Sequence, residues 1–309
     1  MITTATTTSL YEVYVALPPS SAGTTYTFMA SDKANVYTQS LTSNKAIEKG
    51  TFYEATLNMG TGTASLVDLT KKSNAYVAKD YDVLSGTLGS NVQISIANGA
   101  TVLLDGANIN GKDDNEYNWA GLTCEGNATI LLTGGTSRMN SIKGFYQNNP
   151  GIYVPAGSTL TILGTNYDYL TVSSNGYGAG IGAGNNNGCG KIVIKGGKIT
   201  ATGGNNAAGI GGAGYGNCGT ITITGGIIES TGGMGAVGIG SGSNASCGAI
   251  TFTNTVSRLK SVAGTNANYT VGASVGGSCG TITIGGTVWE QSSFEVESGD
   301  VSKEFNYLP

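Results

Sequence analysis

The chain has 309 residues with 51 Gly, 5 Pro, 39% hydrophobic and 11% charged residues, enough apolar content for a core and far from a disordered composition. Its net charge is −4 and its 15 Lys and Arg are scattered, so it lacks the basic stripe a phosphate backbone requires, and nucleic acid is not expected as a partner. It contains no His, which removes Ser-His-Asp and Cys-His nucleophile systems, His-ligated zinc and the usual pH switch.

The opening "MITTATTTSL" has neither the basic start nor the apolar core of a secretory signal, so a targeting segment, if the chain is exported, is expected upstream. No stretch reaches the ~18 uninterrupted apolar residues of a membrane span, and the chain is not expected to cross a membrane. Over residues 1–75, "YEVYVALPP", "TTYTFMA", "ANVYTQSL" and "GTFYEATLNMG" alternate like antiparallel strands joined by Gly, Ser and Asn turns. So few strands leave an exposed edge and half a core, which predicts a partial β-sandwich completed by upstream strands, by another chain, or by docking on the rest.

Residues 76–309 carry a repeat. Cys189, Cys218 and Cys247 are 29 residues apart and Cys279 follows 32 later, each opening a strand-like run: "KIVIK", "TITIT", "AITFT" and "TITIG". In these runs Ile192/Ile194, Ile221/Ile223, Ile250/Phe252 and Ile282/Ile284 fall on one face, the period of two that defines a strand. Degenerate copies lie upstream: "IANGATVLLDG" at 96–106 matches "VPAGSTLTILG" at 154–164 position for position at an offset of 58, with "CEGNATILLTGG" at 124–135 between them. Each copy adds a short strand upstream ("AGIGA", "AGIGG", "VGIGS") and, less uniformly, one downstream ("KITAT", "IIEST"). The expected fold is therefore all-β: a parallel, right-handed β-helix of about seven coils over 76–309 with terminal caps. Gly and Asn supply its corners, where φ is positive.

Candidate sites are few. Gly209-Ile210-Gly211-Gly212-Ala213-Gly214 matches G-x-G-x-x-G but precedes a strand, so no helix N-terminus is available to hold a pyrophosphate. Cys189, Cys218, Cys247 and Cys279 are expected to form an inward structural ladder of free thiols: in-register parallel side chains do not naturally adopt a disulfide torsion, and four thiolates in a line cannot surround zinc. Cys124 stands outside that ladder. Thr222, Thr251 and Thr283 are expected to face outward in an array resembling the flat surface of ice-binding β-helices, interrupted by Val193 with Lys191 and Lys195. Asp113, Asp114 and Glu116 in "GKDDNEYN" form the densest acidic group, either a calcium-binding loop or a solvated turn; no other cofactor is expected. Between Tyr169 and Trp289 the only carboxylate is Glu229, so the central coils cannot supply the carboxylate pair of a glycosidase or the acid cluster of a lyase, and catalysis is not expected there. Tyr146, Tyr153, Tyr167, Tyr169 and Tyr177 are the candidate glycan contacts, because exposed aromatic rings stack on sugar faces.

"VYVALPPSSAGTTYTF" followed by "NKAIEKGTFYEATLNM" resembles the closing strands of fimbrillin-like domains of Bacteroidales surface proteins. The remainder, with "AGLTCEGNATILL" and "SSNGYGAGIGAGNNNGCGKIVIKGGKITATGG", is similar to the glycine-rich repeat region that follows such domains in predicted adhesins. The resemblance implies a protein of the cell surface or outer membrane, an adhesin or glycan-binding module whose partner is a glycan or a host or bacterial surface protein, with a fimbrial partner at the N-terminal strand edge as a further expectation. The alternatives are a polysaccharide lyase or glycoside hydrolase on a β-helix scaffold, and a purely structural stalk or fimbrial component.

Overall fold

The computed structural model describes residues 20–31, 36–48, 60–61, 65–295 and 304–307. The chain divides into two compact units, 1–66 with 81–83, and 67–80 with 84–309. In the first, Thr25–Ser31 and Val36–Thr42 pair antiparallel over their full length, and Gly60–Thr61 adds to the second of them. Of the four expected strands, "YEVYVALPP" and most of "GTFYEATLNMG" lie outside the described residues.

The second unit is a parallel β-solenoid of about seven turns with three strand-bearing faces and no α-helix among the described residues. Face A stacks the first half of Thr101–Asn110, then Ala128–Leu132, Thr159–Leu163, Lys191–Ile194, Ile221–Ile223, Ile250–Phe252 and Ile282–Ile284. Face B stacks the second half of Thr101–Asn110, then Asn140–Lys143, Tyr169–Ser173, Lys198–Thr202, Ile227–Thr231 and Arg258–Val262. Face C carries short strands from Tyr76–Ala78 through Ile152–Tyr153 and Ile210–Gly211 to Val271–Gly272. Alternation within each strand sends one set of side chains inward. On face A, Val102, Ile130, Ile162, Ile194, Ile223, Phe252 and Ile284 stack in one buried column. Each such side chain contributes roughly 1.5–3 kcal/mol by leaving water.

The upstream copies depart from their sequence alignment. Ser95, Thr123 and Tyr153 are stacked on face C, which keeps the offset of 58. On face A, however, Thr101, Thr129 and Thr161 are stacked, an offset of 60. The chain takes up two extra residues between the two faces. A slip of two keeps every inward residue inward, so hydrophobic alternation alone cannot register it.

Glycine in "AGIGA" and its copies has a specific cause. Gly182, Gly211, Gly240 and Gly272 stack on face C with φ between +109° and +143°, and a Cβ on Gly182 would lie 2.1 Å from the Gly211 carbonyl oxygen. Only glycine fits this column. Gly209–Gly214 is one rung of it, with no helix following.

The C-terminal end is capped. Thr287–Trp289 folds back antiparallel on Ile282–Ile284, and Glu304–Tyr307 closes the edge of face B on Arg258–Val262. Gln291 seals face C, donating to the Val271 carbonyl (2.8 Å) and accepting from the Ala273 N–H (3.2 Å). Phe294, Phe305 and Trp289 cluster over this end, with Phe294 and Phe305 5.0 Å apart. Such caps shield the open edge a solenoid would otherwise present.

The cysteines correct one expectation. They do form a ladder, Cys218 beside Cys247 and Cys247 beside Cys279, but Cys189 and Cys218 are joined in a disulfide with Cα atoms 4.5 Å apart. The ladder lies at the corner between faces C and A, where Cys189 meets Cys218 in the same parallel register that joins Cys218 to Cys247: the Cys189 N–H donates to the Asn217 carbonyl (2.6 Å) and the Gly219 N–H to the Cys189 carbonyl (3.1 Å). The parallel-strand argument against a disulfide therefore does not hold at this corner. Cys124 is fully buried on face C against Ile96, and burial pushes its thiol up to about 12.

Candidate functional site

The outward residues of face A form a longer threonine ladder than the repeat alone indicates: Thr101, Thr129, Thr161, Val193, Thr222, Thr251 and Thr283 occupy one column, all half-buried. Val193 alone interrupts it. The flanking column is mixed, with Thr159 beside Lys191. A depression of about 120 Å³ opens on this face between Asn127, Thr129, Thr159 and Thr161.

The corner between faces C and A carries more polar chemistry. Asn186, Tyr215 and Asn244 occupy equivalent turns: the Asn186 N–H donates to the Gly214 carbonyl, and the Tyr215 N–H to the Ser243 carbonyl. All three adopt the left-handed conformation, with φ of 60°, 55° and 53°. Asn tolerates it; a bulky residue there is uncommon, and Tyr215 shares it with Tyr81 (φ 64°). The Tyr215 side chain is 66% exposed. At the same corner a second depression, about 280 Å³, is lined by Asn217, Asn244, Ser246 and Ser278 among others. Asn217 is anchored there, its Oδ1 accepting the Ser246 N–H at 2.8 Å. Tyr215 is not part of that lining but precedes Asn217 by two residues, and an exposed ring at the same corner as amide and hydroxyl groups is the chemistry that stacks on and hydrogen-bonds to a sugar. Sequence reasoning passed over Tyr215; the available signal was a tyrosine at a repeat position held by asparagine in the coils on either side.

The five predicted tyrosines are not brought together. Tyr153 is on face C, half-buried, with its hydroxyl donating to the Gly188 carbonyl (3.3 Å) and its acidity weakened by burial. Tyr167, 73% exposed, lies at the turn that leads into face B. Tyr169 begins the face B strand, and the Lys198 ammonium lies 4.7 Å over its ring, so that ring face is occupied. Tyr146 and Tyr177 lie between faces B and C, where the Tyr177 N–H donates to the Gln147 carbonyl. The outer surface of face B is charged, with Lys260 between Glu229 (3.8 Å) and Glu304 (2.7 Å).

Asp113, Asp114 and Glu116 fall in a turn. The Asp114 carboxylate accepts from the Lys112 ammonium (3.0 Å) and the Glu116 N–H (3.2 Å), and the lysine contact holds it below the usual carboxylate range. Among the described residues no cluster of three His, Cys, Asp or Glu is placed to hold a metal ion. Asp105 feels the charge of Asp168 at the corner between faces A and B, but both carboxylates are engaged in building it. Asp105 pairs with Arg138 at 2.9 Å, and Asp168 accepts from the N–H groups of Gly135 and Thr165.

These features define a parallel β-solenoid with an open, polar outer surface. The chain matches no family model, no curated protein and no solved structure. No helix among the described residues is long and apolar enough to cross a membrane.

Proposed function

We propose that this protein is a non-catalytic binding module of the cell surface, an adhesin whose solenoid presents a glycan-contact site. The observation that carries the reading is Tyr215, an exposed ring held in the left-handed conformation two residues before Asn217 and at the turn equivalent to Asn244 on the next coil, both of which line the polar depression with Ser246 and Ser278. The depressions at this corner and on face A are smaller than the ~300–1,000 Å³ of an enclosing ligand pocket, which favours an extended chain laid along the surface over a swallowed small molecule. Stacked coils repeat at ~4.8 Å, so weak contacts along the ladders add through multivalency. The Cys189–Cys218 disulfide supports a location outside the reducing cytoplasm. The resemblance to fimbrillin-like surface proteins supports the same placement.

A glycan array probed with the full chain tests the reading. The expected outcome is retention of a subset of glycans, with Tyr215→Ala weakening binding about tenfold, about 1.4 kcal/mol, and Tyr167→Ala leaving it unchanged. Binding to no glycan, or equal binding by Tyr215→Ala, refutes it. Release of new sugar ends from polyuronides would favour the enzymatic alternative instead.

A further inference from the structure

Below the polar depression, the second half of the cysteine ladder is a pair of thiols. Ser246–Cys247 and Ser278–Cys279 form a short parallel ladder of their own, and the Cys247 S–H donates to the Cys279 sulfur across 3.2 Å. Cys247 is buried and Cys279 is partly exposed. The neighbouring rung, Cys189–Cys218, is already a disulfide at the same corner. We infer that Cys247 and Cys279 are a redox site, oxidised by small-molecule disulfides to a second disulfide that joins the last two cysteine-bearing coils.

Geometry and access set the order of steps. Cys279 is the exposed partner, and the hydrogen bond it accepts from Cys247 favours its thiolate. That thiolate attacks one sulfur of a disulfide R–S–S–R; a Cys279–S–S–R bond forms and R–S⁻ leaves with the electron pair. Cys247, whose proton passes to solvent, then attacks the Cys279 sulfur and expels the second R–S⁻. Two protein thiols are oxidised by two electrons, and one small disulfide is reduced to two thiols. Cys124 takes no part, since it is wholly buried on face C and its thiol is pushed up to about 12.

The test uses the full chain incubated with glutathione disulfide, acid-quenched, alkylated in denaturant and mapped by mass spectrometry without reduction. The expected result is a cross-linked peptide joining Cys247 to Cys279, two hydrogens lighter than the dithiol, with Cys124 as the alkylated cysteine. In Cys247→Ser the mixed disulfide has no resolving thiol, so glutathione accumulates on Cys279. In Cys279→Ser modification of Cys247 slows by at least ~10-fold, because the remaining thiol is buried. Alkylation of both Cys247 and Cys279 in the treated wild type overturns the proposal, as does a Cys218–Cys247 linkage. The wild-type map stands whether or not either variant folds.

Discussion

The early coils, from Thr101 to Tyr169, and the middle coils, from Lys191 to Phe252, share one cross-section but close their corners by different means. In the middle coils the stacking is between main chains: Gly211 and Gly240 bring successive backbones too close for any Cβ, and the inward column of face B shrinks to match. That column runs Ile142, Val172, Ala201, Ser230, Ser261. At its small end, the Ser230 hydroxyl donates to the Gly238 carbonyl (2.6 Å) and Ser261 to the Thr270 carbonyl (2.7 Å). In the early coils, where Gly111 also lies too close to the Gly144 carbonyl for a Cβ, side chains take a larger share of this work. Asn140 bonds three backbone groups, Asn127 caps the Thr159 N–H, and Tyr117, Trp119 and Phe145 pack a cluster with centroids 5.5–6.3 Å apart. A strict period permits a nearly bare backbone; coils that vary in length need polar side chains to complete their hydrogen bonds.

The comparison is broken most directly at Gly211. A Cβ there would lie 2.0 Å from the Gly240 carbonyl oxygen, at φ +134°, and the obstacle is main chain that cannot step aside. Gly211→Ala is expected to cost more than ~4 kcal/mol, seen as loss of the cooperative thermal transition or of soluble protein. Gly157, in an early coil at φ +83° with nothing within 4 Å of its would-be Cβ, provides the contrast. Gly157→Ala is expected to cost only ~1–2 kcal/mol. Equal effects at the two sites would remove the distinction between the coils.

Asn140 sharpens it from the other side. Its neighbours in the same inward column are Leu170, Ile199, Ile228 and Leu259, so Asn140→Leu restores the apolar pattern of the repeat. The substitution nevertheless strips the Ala107 N–H (2.9 Å) of its partner in a buried site, and the Tyr169 carbonyl (3.1 Å) of its second donor. The expected loss is ~1–3 kcal/mol in urea unfolding, the cost of one orphaned buried group. A neutral or stabilised variant would mean that the early coils tolerate the bare construction of the middle ones.

The same contrast explains what could be read in advance. The solenoid, its seven rungs and the inward Ile columns were legible because burial enforces a period of two at each strand and about 29 between strands. The two-residue slip between faces C and A was not, because it leaves that pattern intact. The Cys189–Cys218 bond was missed for a related reason: sequence spacing predicts stacking but not the side-chain directions at a corner. Tyr167 is exposed, whereas Tyr169, equally plausible by composition, lies under Lys198. Sequence places residues on a coil; which neighbour covers them depends on the rung beside them.

The smallest expected effect concerns charge, and it too belongs to the early coils. At the corner between faces A and B the middle coils have Gly196–Gly197 and Gly225–Gly226, whereas an early coil has Asp105, with one oxygen buried and unpartnered. Burial raises the Asp105 carboxyl above its ordinary 3.8, against the pull of Arg138. A carboxyl whose pKa rises on folding binds its proton more tightly in the folded state. Its contribution is most favourable below about pH 3.8, falls as the pH climbs to the raised value, and is constant beyond. The exposed carboxylates Asp114 and Glu304, lowered by lysine contacts, act in the opposite sense, so the wild-type profile alone does not isolate Asp105. The difference between Asp105→Asn and wild type does: the variant is expected to gain relative stability across that window by less than ~1 kcal/mol, because solvent near Arg138 screens the ion pair it gives up. A difference that does not change with pH would mean that Asp105 titrates alike in the folded and unfolded chains, and that the side-chain-built corner carries no more electrostatic cost than the glycine-built one.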